Sequence, residues 1–176
     1  EVEAQGKKII LDIGMPLTLP DEGPFSSREI LGRNVDELVQ QNILPKLQGL
    51  YDGAPSGIQA VIISHPHIDH YGLSRFVHES IPFYMGEEAA TLIRVTEEYT
   101  PMKTGIKSPH HYKDRKPFEI GPFRITPFLM DHSAFDAYAL LIEADGQTLF
   151  YSGDFRGHGR KNWCLNNLIR DLPRGI

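Results

Sequence analysis

Ala60-Val61-Ile62-Ile63-Ser64-His65-Pro66-His67-Ile68-Asp69-His70 places three imidazoles and a carboxylate within six consecutive positions, directly behind a largely β-branched apolar run. The apolar part reads as a buried strand, too short for a helix of ordinary length. The polar part then falls at the strand's end, where a rigid base carries a turn whose alternate side chains can converge on one point. Buried polar clusters persist only when partnered, and imidazole with carboxylate suits zinc and its first-row neighbours. The stretch is therefore expected to be a metal site, the alternative being a polar turn that happens to be rich in histidine.

Outward from this stretch the chain alternates strands and helices. Lys8 to Ile13 is a short strand ending at Asp12-Ile13-Gly14, followed by a Pro/Gly-rich loop from Met15 to Gly32. Asn34, with Glu37 three positions on, is the expected N-cap of a helix whose apolar stripe is Val35, Leu38, Val39 and Ile43, ended or interrupted by Pro45. After a loop from Gly53 to Gly57 comes the strand of the motif. Leu73 to Glu79 is predicted as a helix, Ile81 to Met85 as a strand, and Glu87 to Tyr99 as an amphipathic helix with Ala89, Leu92, Ile93 and Thr96 on one face. Met102 to Lys116 reads as a polar loop. Strands follow at 117–120, 123–130, 137–143 and 148–151, the last two joined by the tight-turn pair Asp145-Gly146, and a helix is expected over 162–171. This order predicts an α/β sandwich with sheets inside and helices outside.

The 176 residues suit one domain with a sizeable core, and 40% apolar with 23% charged residues describe an ordinary globular protein. A formal net charge of −5 gives no general attraction to nucleic acid, so polyanion binding would need a local patch or bound metal. Cys164 is the single cysteine, which excludes an intrachain disulfide and is compatible with a reducing, cytoplasmic location. No apolar run approaches the roughly 18 residues of a membrane span, and no membrane partner is expected. Both ends read as cut: Glu1-Val2-Glu3-Ala4 looks like half a hairpin, and Leu172 to Ile176 stop just past a helical pattern. The chain is expected to be part of something longer.

Two further features end strands: Met130-Asp131-His132-Ser133 and Tyr151-Ser152-Gly153-Asp154. With His65-x-His67-x-Asp69-His70 and the earlier Asp12, their order and spacing resemble the successive motifs of the metallo-β-lactamase superfamily. Asp131-His132-Ser133 and Gly153-Asp154-Phe155-Arg156 are most similar to the ribonuclease J and β-CASP nuclease branch. The resemblance covers essentially the whole chain and implies a metallo-β-lactamase-like αββα sandwich, here incomplete, over residues 1–176.

The resemblance further implies two divalent ions, zinc first and manganese or iron as alternatives. His65, His67 and His132 would hold one ion, Asp69 and His70 the other, and Asp154 would bridge them. Asp12 would orient ligands; it also fits a plain strand-end turn carboxylate. Asp69 and Asp154 could accept a hydrogen bond from the nucleophile. Ser133 could donate to a substrate oxygen or simply cap a turn. The family's remaining ligand histidine has no counterpart here: His158 comes too soon after Asp154 and reads as a surface-loop residue, and 22 residues after Asp154 leave no room for a β-CASP insertion.

The implied activity is metal-dependent hydrolysis with a dinuclear centre activating water, in a phosphodiesterase or ribonuclease J-like RNA-processing nuclease. The alternative is a small-molecule hydrolase on the same fold, such as a glyoxalase II-like thioesterase or a lactonase acting on an ester; a non-catalytic scaffold subunit is the third reading. The stretch Lys103 to Lys116 is basic, and Lys107, Lys113 and Arg115 are candidates for guiding RNA, against the default of a solvated loop. Adjacent His110 and His111 point opposite ways in an extended segment and make a weaker metal pair. Oligomeric state is left open.

Overall fold

Neighbouring apolar residues in the strands go to opposite faces, and this alternation builds the layers. A computed structural model describes residues 1–19 and 23–173. Pro20, Asp21 and Glu22, inside the predicted Met15–Gly32 loop, and Arg174, Gly175 and Ile176, in the predicted terminal segment, lie outside the described residues.

One sheet runs β1 (Val2–Ala4), β2 (Lys7–Leu11), β3 (Ile58–Ile62), β4 (Phe83–Gly86) and β5 (His110–Tyr112), in that spatial order. Only β1 and β2 pair antiparallel; the other pairs are parallel. The second sheet is an antiparallel meander of β6 (Phe118–Ile120), β7 (Phe123–Met130), β8 (Ala137–Ala144) and β9 (Gln147–Tyr151). The helices are α1 (Val35–Gln40), α2 (Ile68–Tyr71), α3 (Glu87–Tyr99) and α4 (Trp163–Asp171).

Ile9, Ala60 and Ile62 point between the sheets and meet Phe123, Ile125, Leu140 and Ile142. Their neighbours Ile10, Val61 and Ile63 point the other way, onto Leu38 of α1, Tyr71 of α2 and Ile93 of α3. On the far side Met130, Ala139 and Leu141 pack against Leu168 of α4. The order is helix, sheet, sheet, helix, the αββα sandwich that the resemblance implies. Strand β3 is covered on both faces, which is why its sequence is apolar without alternation.

Several elements depart from the sequence reading for local reasons. The capping box at Asn34 forms as expected, Glu37 N–H donating to Asn34 Oδ1 at 2.9 Å. The helix nevertheless stops at Gln40, because Asn42 takes a left-handed φ of 57° and Ile43 N–H turns back to the Leu38 carbonyl at 2.9 Å. Ile43 is thus buried in the turn and not on a helical stripe. The helix predicted over 73–79 is replaced by α2, which begins inside the motif, and a single 3₁₀ turn at Ser74–Phe76. Leu73 N–H bonds the Ile13 carbonyl at 3.0 Å, which removes it from any helical ladder. The predicted loop from Met102 to Lys116 contains β5, a three-residue strand too short and polar to show alternation, paired Tyr84 to His110. In α3, Ala89 and Ile93 are buried, whereas Leu92 faces outward at 41% exposure.

The Asp145-Gly146 turn forms with φ of 51° and 72°, joining β8 to β9 with Ala144 opposite Gln147. Strands β7 and β9 both run antiparallel to β8, so their C-terminal ends lie at one edge. Tyr138 N–H donates to the Ser64 carbonyl at 3.0 Å, tying the start of β8 to the end of β3. Four strand ends, those of β2, β3, β7 and β9, therefore open onto the same edge of the sandwich.

Candidate metal centre

Ser64 and His65 continue the line of β3 and are buried, His65 completely at 0% exposure. His67 takes the N-cap position of α2 without using its side chain as a cap, which leaves the imidazole free to face the edge. Asp69 and His70 lie on the first turns of α2. The loop after β2 packs against this turn: Ile13 N–H donates to the His70 carbonyl at 2.8 Å and Met15 N–H to the Ile68 carbonyl at 3.1 Å. Gly14 is required for that approach, since a Cβ there would stand 1.6 Å from the Asp69 carbonyl oxygen.

His132, just after β7, completes a triad of imidazoles. His67 Nδ1 is 3.2 Å from His65 Nε2 and 3.1 Å from His132 Nε2. A tetrahedral ion with zinc–nitrogen bonds of about 2.0–2.1 Å separates its ligand nitrogens by about 3.3–3.4 Å. The observed spacing is close to that edge length. Hydrogen bonding alone fits less well, because one proton on His67 Nδ1 cannot serve both neighbours, whereas one cation satisfies all three lone pairs. The donor set therefore fits a divalent ion.

His65, His70 and Asp154 form a second group, and within each group the donor atoms lie within 4.8 Å of one another. Asp154, after β9, places Oδ2 3.6 Å from His70 Nε2 and 3.9 Å from His132 Nε2, between the two groups. Asp69 stands at the border, its Oδ2 3.9 Å from His70 Nε2.

Asp12 lies behind the imidazoles at a left-handed φ of 57°. Its Oδ1 accepts Ser64 N–H at 2.7 Å; its Oδ2 accepts Ser64 Oγ–H at 2.7 Å, the Tyr151 hydroxyl at 2.5 Å and His70 Nδ1–H at 2.7 Å. Ser64 Oγ is also 3.0 Å from His65 Nδ1. With Ser64 donating to Asp12, this contact assigns the His65 proton to Nδ1. One carboxylate thus fixes the tautomers of His65 and His70 so that both present Nε2 lone pairs to the edge.

Protonation follows from these contacts. Burial, then the neighbouring His70 ring, pushes His65 down to about 3, so it is a neutral donor across the physiological range. Burial also pulls on His70, but the hydrogen bond and charge of Asp12, then Asp154 and Asp69, outweigh it and raise its pKa. His132 is lowered by burial and by His67. Tyr151 is raised by burial and by the charge of Asp12, which keeps it a hydroxyl donor.

Ser133 is exposed next to His132. Two of the three basic candidates are engaged elsewhere: Lys107 pairs with Glu79 at 3.3 Å, and Arg115 with Asp114 at 2.7 Å and Asp171 at 2.8 Å. Lys113 is exposed and its backbone pairs with Lys116. The sequence reading gave no role to Ser64, Tyr151 or Gly14. Ser64 opens the motif as quoted, but nothing local marks its bond to Asp12, 52 positions away. Beside His67 opens a cleft of about 520 Å³ lined by Met15, Ile30, Leu31, Ile68 and Met102 among others.

Residues 27–163 match the family described as the beta-lactamase superfamily domain. The chain is similar to ribonuclease J of Helicobacter pylori, 27% identical over 177 residues that cover 98% of this chain and 23% of that protein. It is likewise similar to ribonuclease J of Mycoplasma genitalium, 26% identical over 160 residues covering 88% of this chain and 25% of that protein. The chain spans about a quarter of the length of these curated relatives. Among solved structures, a protein of unknown function from Enterococcus faecalis superposes with a TM-score of 0.77 at 21% identity, covering 96% of this chain and 42% of that one. A possible metal-dependent hydrolase from Veillonella parvula gives 0.57 at 14% identity, over 98% and 64% of the two chains. These superpositions show the shared fold.

Proposed function

This chain belongs to the beta-lactamase superfamily, and from that premise we propose that it carries the metal-binding part of a metal-dependent hydrolase acting on RNA phosphodiesters, in the manner of ribonuclease J. The observation that carries the metal assignment is the triad His65, His67 and His132, whose donor nitrogens converge at 3.1–3.2 Å on one edge. Residues 1–176 belong to one metallo-β-lactamase-like domain in this reading, and the location is cytoplasmic. Among the described residues no helix is long and apolar enough to cross a membrane.

In this reading His65, His67 and His132 would hold one ion and His70 and Asp69 the other, with Asp154 available to both, zinc first and manganese or iron as alternatives. Divalent ions held there would supply Lewis acidity, lowering the pKa of water and neutralising charge on the scissile group. Asp154, exposed between the two groups, accepts a hydrogen bond from the attacking water and orients it; Asp69 does so from the other side. Ser133 donates to a non-bridging substrate oxygen. Asp12 holds the proton on Nδ1 of His70 and, through Ser64, on Nδ1 of His65, so neither ring turns away.

A second reading, a hydrolase of small apolar esters, is favoured by the cleft beside His67, whose Met15, Ile30, Leu31 and Met102 would take an apolar acyl or alcohol group. The test is direct. The full-length polypeptide, stripped of metal and reloaded, is assayed on single-stranded RNA and on an aryl ester. RNA cleavage that returns with metal supports the nuclease; metal-dependent ester turnover with RNA left intact selects the second reading.

A further inference from the structure

His132 and Asp154 come from the ends of β7 and β9, which are not neighbours, because β8 lies between them. Two strand spacings amount to roughly 9–10 Å, yet His132 Nε2 and Asp154 Oδ2 stand 3.9 Å apart. Sheet hydrogen bonds do not connect these two loops. The connection runs through Asp131, the residue before His132, which is 1% exposed.

Residues 156–161 fold around Asp131. Arg156 N–H donates to its carbonyl at 2.7 Å, and Lys161 N–H to its Oδ2 at 3.2 Å. Arg156 Nε lies 3.4 Å from Asp131 Oδ1; it is buried without a hydrogen-bond partner, so this ion pair is what offsets its desolvation. The fit is close enough that a Cβ on Gly159 would come within 2.2 Å of Asp131 Oδ2 and 2.4 Å of Arg156 Nε. Asp131 adjoins one candidate ligand, and Arg156 lies two positions past the other.

We propose that Asp131 and Arg156 form a clamp that draws the Asp154 loop across the end of β8 and sets the separation of Asp154 from His132. Both are positioning residues. They touch neither substrate nor ion, and they act on the bridging carboxylate. His132 is anchored independently by β7, whereas Asp154 depends on the clamp. Asp154 is shared, but without it one ion would keep three imidazoles, His65, His67 and His132, and the other only Asp69 and His70, so loosening the clamp weakens the latter far more.

The inference rests on the two-ion reading above, and its test separates the two. Metal-free full-length polypeptide is titrated with cobalt(II), followed by visible absorption and by calorimetry, for the parent, Arg156→Gln, Arg156→Lys and Asp131→Asn. Arg156→Gln is expected to keep the higher-affinity ion within about twofold and to weaken the other about 10–100-fold, the range for outer partners of metal ligands. Its absorption spectrum changes only for the weakened ion, and Arg156→Lys recovers most of the loss. Circular dichroism and unfolding of the metal-free forms are measured in parallel. Two ions bound by Arg156→Gln with the parent's affinities and spectrum would overturn the clamp, as would equal weakening of both ions in step with lost stability. Should Asp131→Asn not fold, the partly exposed Arg156 carries the test alone. A parent that binds no cobalt overturns the two-ion reading itself.

Discussion

Replacing Gly14 by alanine tests how the loop after β2 supports the centre. The added methyl would stand 1.6 Å from the Asp69 carbonyl oxygen, 1.9 Å from its carbon and 2.5 Å from His70 N, all backbone atoms. Reaching even 3.0 Å requires the two segments to part by at least about 1.4 Å, a large displacement for a close-packed interior. Three hydrogen bonds span this seam: Ile13 to His70 at 2.8 Å, Met15 to Ile68 at 3.1 Å and Leu73 to Ile13 at 3.0 Å. At about 0.5–1.5 kcal/mol net each, their loss costs about 1.5–4.5 kcal/mol. Gly14 does not take a left-handed φ, so no strain adds to this. Alanine instead returns about 0.4–1 kcal/mol by restricting the unfolded chain. The expected result is a net destabilisation of about 0.5–4 kcal/mol in urea unfolding, together with about 10–100-fold weaker metal binding as Asp12 moves away from His70 and Ser64. A Gly14→Ala protein as stable as the parent, with unchanged zinc affinity, would refute the argument, because the seam would then not be the support of these imidazoles.

Three further outcomes are expected. His67→Ala removes the nitrogen shared by both short contacts, so hydrolysis by the full-length polypeptide is lost while far-ultraviolet circular dichroism is retained; full turnover in this variant would defeat the metal assignment. The 176-residue chain binds the ion of the imidazole triad more tightly than the second and turns substrate over poorly, and calorimetry showing two equally tight ions with full activity would contradict this. The third concerns pH in the metal-free protein. His65 is lowered to about 3 in the fold, so its contribution to stability is fully present above the ordinary value near 6.5 and lost as pH falls toward 3, where the unfolded chain alone takes the proton. His65→Gln is then expected to flatten the pH dependence of unfolding between about pH 4 and pH 6 by about 1 kcal/mol per unit; an unchanged slope rules out His65 as the source.

Legibility in the sequence followed the range of the signal. A sandwich with sheets inside and helices outside was readable from local apolar patterns such as Ile9-Ile10 and Ala60 to Ile63, whereas the αββα order was implied by the resemblance, and the structure shows it in neighbouring residues sent to different layers. The grouping of His65, His67, His70, His132 and Asp154 was expected from strand-end motifs whose order and spacing resemble the metallo-β-lactamase superfamily, whereas the sharing of one edge by those strand ends shows only in the folded chain. Strand β5 was missed because its three residues, His110 to Tyr112, have neither length nor alternation and owe their conformation to pairing with β4. The start of α2 inside the motif was missed because bonds from Ile13 and Met15, about 55 positions earlier, fix where that turn begins. Gly14, Tyr151 and Asp131 share this cause: each acts on a partner that only the folded chain brings near.

Those distant partners also decide whether the centre exists before an ion arrives. His65 is fully buried and neutral, and its Nε2 faces a second imidazole nitrogen at 3.2 Å. In a donor cluster that assembled only around an ion, the metal-free rings would rotate to pair with each other or with water. Here Asp12 accepts from His70 and, through Ser64, fixes His65, while Asp12 is itself held by Ser64 N–H and Tyr151. None of these bonds uses a lone pair that an ion would need. The orienting network and the binding atoms occupy opposite sides of the same rings, so the cost of ordering the donors falls on folding and not on binding. The core on which that folding rests, with Ile62 and Ile63 of the motif strand at 0% exposure, lies directly beneath the ligands. Metal is therefore expected to add stability by mass action to a fold that already stands without it, unlike small zinc domains whose folding waits for the ion.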